Sequence, residues 1–259
     1  MHKFTPQGVS DIIIPVFNQY QCTRNLLESI YRYTDRPFHI FVVDNASTDE
    51  TVDLHKIYTR QITILRNREN KGWCSAINQG IQHGNSPYVV LMNNDVEVSQ
   101  DWLGNMIAFL DTHPRIGAVG PVASSPNDWQ CVDRVRATMA PQIPHFLTED
   151  LHERNRILRY HFHRTGILVE GMLAFFCCVL RRRTLEAVGL LDEAFVGGGD
   201  DDDYCRRLRK AGYVLGLSLD TYVLHHSNLT SKSVFDPGKR QELRKKNLAR
   251  LKDKHPEYF

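Results

Sequence analysis

Short apolar runs rich in β-branched residues alternate with segments of helical spacing through the first half of the chain. DIIIPVF (11–17) reads as a strand that ends at Asn18. In CTRNLLESIYRY, Leu26, Leu27, Ile30 and Tyr31 recur at helical spacing. FHIFVV (38–43) is the next strand and runs into DNASTDET, where Ser47 or Thr48 is expected to cap a helix with Glu50 close behind. ITILRN (62–67), the helix SAINQGIQHG and the strand YVVLMNND (88–95) repeat the cycle. DWLGNMIAFLDTHP predicts a further helix, stopped by Pro114, and IGAVGPVA a further strand. Strands separated by helices imply right-handed crossovers, hence an α/β, doubly wound, mainly parallel sheet of Rossmann-like type.

The alternation weakens over 125–168, where SSPNDWQCVDRVRATMAPQIPHF has no clear period and EDLHERNRILRYHFHR is polar and helical in character. This stretch is expected to be an insertion lying over the sheet edge. Strand signals return at 172–180 and 213–224, and a basic helix ends the chain over 237–259. The expected organisation is a single domain over 1–236, divided as 10–124, the insertion 125–168 and 169–236, followed by that helix.

Composition adds mostly exclusions. The 259 residues are 42% hydrophobic and 24% charged, as in ordinary soluble globular proteins. A net charge of +2 gives no reason to expect a nucleic-acid partner. The longest apolar run, MLAFFCCVL (172–180), is far short of the ~20 residues that span a bilayer. The first residues lack the apolar stretch of a signal peptide. Six cysteines without CxxC spacing read as reduced thiols of a cytoplasmic protein.

In open parallel sheets a ligand sits beyond the carboxyl ends of the strands. Here those ends carry Asn18, then Asp44 and Asn45, then Asn93, Asn94 and Asp95. No glycine-rich phosphate loop follows the first strand, which counts against a nucleotidyltransferase. A nucleotide base would instead pack on Pro15, Val16 and Phe17 while Asp44 accepts a ring N–H, an arrangement suited to uracil or thymine. With no basic residue evident beside Asp95, the diphosphate would need a cation. Asp95, with Asn93 and Asn94 beside it, offers the oxygen ligands that Mg²⁺ or Mn²⁺ takes, and His225 or His226 would complete the set.

The segment VGGGDDDDYC (196–205) poses a separate question, because four adjacent carboxylates repel one another. At ~100° per residue, Tyr204, Leu208 and Ala211 form the stripe expected to be buried, with Cys205 beside it. Asp200 and Asp201 fall on that same inward sector. Asp202 faces Arg206 and Arg209, and Asp203 aligns with Arg207 and Lys210, so these two are expected to be solvated pairs. Inward carboxylates without a basic partner neutralise, bind a metal or act as bases.

Six segments, IIIPVFNQ, VVDNASTDET, NKGWCSAINQGI, VLMNNDVEV, GLLDEAFVGGGDDDDYCRRLRKAGY and VLHHSNLTS, occur in that order. Together, over residues 10–231, they resemble the inverting nucleotide-sugar glycosyltransferases of family two, which have the A-type fold. The resemblance implies that Pro15, Val16, Phe17, Asn18 and Asp44 hold base and ribose in a nucleotide-sugar-binding half (10–124), with Gly72 and its neighbours passing close to the nucleotide. Asn93, Asn94 and Asp95 stand where the family has its metal motif, so Asp95 would hold Mn²⁺ or Mg²⁺ with one of His225 and His226. In the acceptor and catalytic half (169–236), Asp201 aligns with the base, Asp200 with a residue commonly Glu that faces the acceptor, and Gly171 with the acceptor pocket. Asn93 departs from the family's first Asp. The implied reaction passes a sugar from a nucleoside-diphosphate donor to a glycan, lipid-linked or protein acceptor, in bacterial surface polysaccharide or glycoconjugate synthesis. A non-catalytic nucleotide-sugar-binding module would share these motifs but would not need Asp201. The basic tail has two readings, a solvated surface helix or an electrostatic foot on the inner face of an anionic membrane.

Overall fold

A computed structural model describes residues 9–59, 61–124, 129–139, 150–226 and 235–259. Strand β1 (Ser10–Val16) lies between β2 (Phe38–Asp44) and β4 (Tyr88–Met92), parallel to both, and β3 (Ile62–Arg66) continues the parallel set beyond β2. All seven residues of β1 are buried, which is why Ile12 to Val16 form a continuous apolar run rather than an alternating one. Successive side chains still point to opposite faces. Ile12 and Ile14 pack with Leu26, Leu27 and Ile30 of α1 (Tyr20–Tyr33) and with Trp102 and Met106 of α4 (Trp102–Thr112). Ile13 packs on the other face with Ile77 and Ile81 of α3 (Trp73–His83).

The rest of the sheet is mixed. β8 (Cys177–Arg181) runs antiparallel to both neighbours, β4 and β6 (Ile116–Ala123). β9 (Val214–His225) is parallel to β6 and antiparallel to β5 (Val96–Val98) and β7 (Gly166–Val169). The fold is thus an α/β sheet with helices on both faces, parallel through β3-β2-β1-β4 as expected and mixed beyond. The strand expected at 172–180 begins only at Cys177. Residues before it form a loop across the end of β4, where Asn93 N donates to Phe176 O at 2.8 Å.

Local details differ from the sequence reading where side chains outcompete propensity. Asp49, not Ser47 or Thr48, caps the turn after β2, accepting from Thr51 N ahead of a 3₁₀ turn and α2 (Leu54–Ile57). Within the insertion, α5 (Val132–Met139) and α6 (Leu151–Phe162) form, and Asn155 of α6 accepts from Tyr222 N of β9 at 3.0 Å. Residues 125–128 and 140–149 of that insertion, and the SNLTS segment after His226, lie outside the described residues.

After α7 (Arg182–Val188), the chain reaches α8 (Asp200–Lys210) and finally α9 (Pro237–Lys254). The basic tail is docked rather than free. Leu243, Asn247 and Leu251 are buried, while Leu248 is 45% exposed because it lies ~140° around the helix from Leu243. Among the described residues no helix is long and apolar enough to cross a membrane.

Candidate functional site

The carboxyl ends of β1 and β4 diverge into a cleft of about 620 Å³, the place where strand order switches in an open α/β sheet. Pro15, Val16 and Phe17 supply its apolar floor, and Asn45 closes the side next to β2. Asn45 donates to Gly72 O at 3.1 Å and accepts from Asn67 at 2.8 Å. Gly72 holds φ +85 at the entry to α3, a backbone region that side chains other than glycine rarely adopt.

Asn18 and Asp44 stand beside this lining and organise it. Asn18 Oδ1 accepts from Thr48 N, and Asn18 N donates to Ser47 Oγ, both at 2.8 Å. The buried Asp44 carboxylate accepts from Ser47 N at 2.8 Å and from Arg66 at 2.5 Å. Arg66 also donates to Ser47 O. One network therefore joins the ends of β1, β2 and β3.

Asn93, Asn94 and Asp95 line the cleft from β4. The Trp73 indole N–H donates to Asn93 Oδ1 at 2.9 Å, and Asn94 donates to Thr23 at 3.1 Å. Asp95 differs from both. Its Oδ1 is buried and makes no hydrogen bond among the described residues, a costly state for a carboxylate. His225 Nε2 lies 3.3 Å from it, with the imidazole stacked on Phe176 at 4.5 Å between ring centroids. His226 turns elsewhere, its Nε2 2.8 Å from Glu97. No group of three or more His, Cys, Asp or Glu poised around one point occurs among the described residues. Asp95 and His225 nonetheless form an oxygen and nitrogen pair that suits a divalent cation already bound to a diphosphate.

The opposite wall comes from the 174–176 loop, the glycine turn before α8, and Asp200 and Asp201. Gly197, Gly198 and Gly199 have φ of 72, 124 and 85, and Gly199 is the N-cap of α8. Asp201 Oδ1 accepts from Asp202 N at 2.8 Å. Neither Asp200 nor Asp201 has a basic partner among the described residues. Burial raises both carboxyls above the ordinary range. Repulsion from Asp203 adds to this at Asp200, and repulsion from Asp200 adds to it at Asp201, where the rise is the larger.

The outer pair of the run divides differently from expectation. Asp202 meets Arg206 at 3.0 Å, as its spacing implies. Asp203 does meet Arg207, at 2.9 Å, but it is wholly buried and not solvated. Lys254 and His255, at the end of α9, reach the same carboxylate at 2.6 and 2.8 Å, while Lys210 pairs with Glu257 instead. Burial opposes ionisation of Asp203, yet the bonds from Lys254, His255 and Arg207 outweigh it and hold the carboxyl below its ordinary range. Ala211, expected in the buried stripe, is exposed, and Asp203 joins Tyr204, Cys205 and Leu208 there.

Gly171 is not on the cleft lining. Its carbonyl accepts from Arg209, and a side chain there would strike the Trp129 indole. Lys71 and Trp73, the neighbours of Gly72 that the sequence did not single out by name, line the cleft between β3 and α3. A cation therefore does stand on the cleft that holds Asp95. The signal was present in NKGW, where a lysine precedes the glycine at a strand-to-helix turn.

The family model described as glycosyl transferase family 2 matches residues 11–189. A curated relative, N-acetylglucosaminyl-diphospho-decaprenol L-rhamnosyltransferase of Mycobacterium tuberculosis, is 26% identical over 221 residues, covering 77% of this chain and 70% of its own. Among solved structures, a mannosyltransferase from Pyrobaculum calidifontis in complex with GDP-Man and Mn²⁺ aligns with TM-score 0.62 and 21% identity, over 85% of this chain and 57% of that one. TarS of S. aureus in complex with UDP-GlcNAc aligns with TM-score 0.61 and 16% identity, over 95% and 67%. At these identities the solved structures speak for the fold alone.

Proposed function

The chain belongs to glycosyl transferase family 2, and from that premise we propose that it moves a sugar from a uridine- or thymidine-diphosphate donor to an acceptor hydroxyl with inversion. The observation that carries this reading is the pair Asp200 and Asp201, half-buried on the cleft wall without a basic partner among the described residues. Asp201 takes the proton of the acceptor hydroxyl. The oxygen then bonds to the anomeric carbon while the bond to the diphosphate breaks, and the electron pair leaves with the phosphate. Its raised pKa brings the base nearer the working pH, where general-base catalysis is most effective. Asp200 faces the acceptor.

Asp95 and His225 would hold the divalent cation, and Lys71 adds a positive charge on the same cleft. Such a cation, when bound, stabilises the negative charge that grows on the departing diphosphate. Asn93 does not compete for it, because its amide oxygen accepts from Trp73. The floor of Pro15, Val16 and Phe17 takes the base, and Asp44, held by Arg66, reads its ring N–H.

Calorimetric titration with nucleoside diphosphates tests the donor end. Uridine or thymidine diphosphate with Mn²⁺ is expected to bind, and Asp95→Ala to abolish the cation-dependent part, with His225→Ala milder. Binding that survives both Asp95→Ala and chelator would remove the cation from this site. A preference for purine diphosphates would remove Asp44 as the base reader.

For the acceptor we favour a lipid-linked glycan, the class that the name of the mycobacterial rhamnosyltransferase indicates for that relative. Arg244, Lys245, Lys246 and Lys252 of α9 remain exposed, and they would meet the anionic surface that carries such an acceptor. Salt-sensitive binding to vesicles containing anionic lipid is the expected result, and no binding at low salt would end that contact.

A further inference from the structure

Three successive glycines lead into the helix that carries Asp200 and Asp201, and all three have positive φ. Without side chains, such a turn has little conformational preference of its own. Something outside it must fix where the helix begins. The turn's carbonyls meet one side chain from α9. Asn247 is 5% exposed, and its Nδ2 donates to Val196 O at 2.8 Å and to Gly198 O at 2.7 Å. Two carbonyl acceptors require the amide nitrogen there, so the orientation of the Asn247 amide follows from the chemistry. Leu243 and Leu251, one helix face with Asn247, lie 3.5 and 3.6 Å from where side chains on Gly197 and Gly199 would begin. One turn into α8, Lys254 and His255 hold Asp203.

We propose that Asn247 is a positioning residue for the catalytic base. By holding the Val196 and Gly198 carbonyls, it sets the first turn of α8, and with it the direction in which Asp201 meets the acceptor hydroxyl. This rests on the reading of Asp201 as the base. A donor bound on the β1 and β4 wall does not depend on the contact, so the effect belongs to the chemical step. A displacement of ~1 Å at a reacting group is enough to cost ~10²-fold in rate.

The test compares Asn247→Leu, Asp201→Asn and the double variant in the full chain, with transfer assayed below the melting temperature of each. Asn247→Leu keeps the branched heavy-atom shape and removes the donor. The expected result is a fall in kcat of ~10-fold or more with donor KM nearly unchanged, and no further loss when the change is made in the Asp201→Asn background. A residue that only stabilises the fold would lower the melting temperature and leave kcat intact. Wild-type kcat in folded Asn247→Leu, or an equal fractional loss with and without Asp201, overturns the proposal. If Asn247→Leu does not fold, Asn247→Ser, which retains a single donor, is read against the same two outcomes. Near wild-type transfer by Asp201→Asn alone would instead overturn the base itself.

Discussion

Asp201→Asn is expected to lower sugar transfer by ~10² or more while leaving nucleotide and Mn²⁺ binding in place. The substitution keeps the shape of the side chain and the bond it accepts from Asp202 N, so the start of α8 is preserved. What it removes is the proton acceptor. The pH profile supplies a second reading of the same group. Burial, then the neighbouring Asp200 charge, raises the Asp201 carboxyl. The base is therefore protonated at pH values where an ordinary aspartate is already ionised. Transfer should rise with pH along a limb lying above the usual carboxylate range near ~3.9. Asp200→Asn takes away one of the charges that raises Asp201, so it should move that limb to lower pH. Near wild-type transfer by Asp201→Asn, or a limb at the ordinary position, would refute the assignment.

The largest effect on stability is expected from Asp203→Asn. The Asp203 carboxylate is fully buried and meets Arg207, Lys254 and His255. Breaking a buried ion pair from one side leaves the remaining charges uncompensated, at a cost of ~3–5 kcal/mol. For a chain of this size that corresponds to a fall in melting temperature of ~6–20 °C. The sign with pH follows from the lowered pKa. The contribution is present above the unfolded carboxylate pKa, near ~3.9, and is lost as pH falls through the lower folded value. Asp202→Asn, beside it, removes a partly exposed i,i+4 pair and should cost only a few tenths of a kcal/mol. Thermal melts of the two variants decide the matter. Equal melting temperatures would mean that the clamp contributes nothing.

The contrast between these neighbours marks how far the sequence could be read. Period and spacing placed the parallel strands, α1, α3 and α4, because each of those signals lies within a dozen residues. They also brought Pro15, Val16, Phe17, Asn93, Asn94 and Asp95 towards one edge, since strand ends in such sheets share a side, whereas Asp200 and Asp201, at a helix start, joined them only through the family resemblance. Helical rotation correctly paired Asp202 with Arg206. It also paired Asp203 with Arg207 but missed that carboxylate's burial, because the covering partners, Lys254 and His255, lie about fifty residues further on and leave no local trace. Asp44 reads as a free acceptor in sequence, whereas Arg66, at the end of another strand, already holds it. β8 looked longer than it is because a buried loop and a buried strand have the same apolar composition.

β8 also has a bearing on how the chain reaches this fold. β4 and β6 follow one another within thirty residues, yet a gap is kept between them for a strand that begins at Cys177. Only β1–β2 and β2–β3 pair close in sequence and are suited to form early, whereas β1 already meets β4 across a long separation. Closing the sheet must wait for β8 to enter between two apolar edges that are unpaired until then. Pairing across so long a separation carries a larger loop-closure cost and slows folding. During that interval the open edges of β4 and β6 are templates for other chains. Late strand insertion, rather than any weakness of the finished core, is where this fold is most exposed to aggregation.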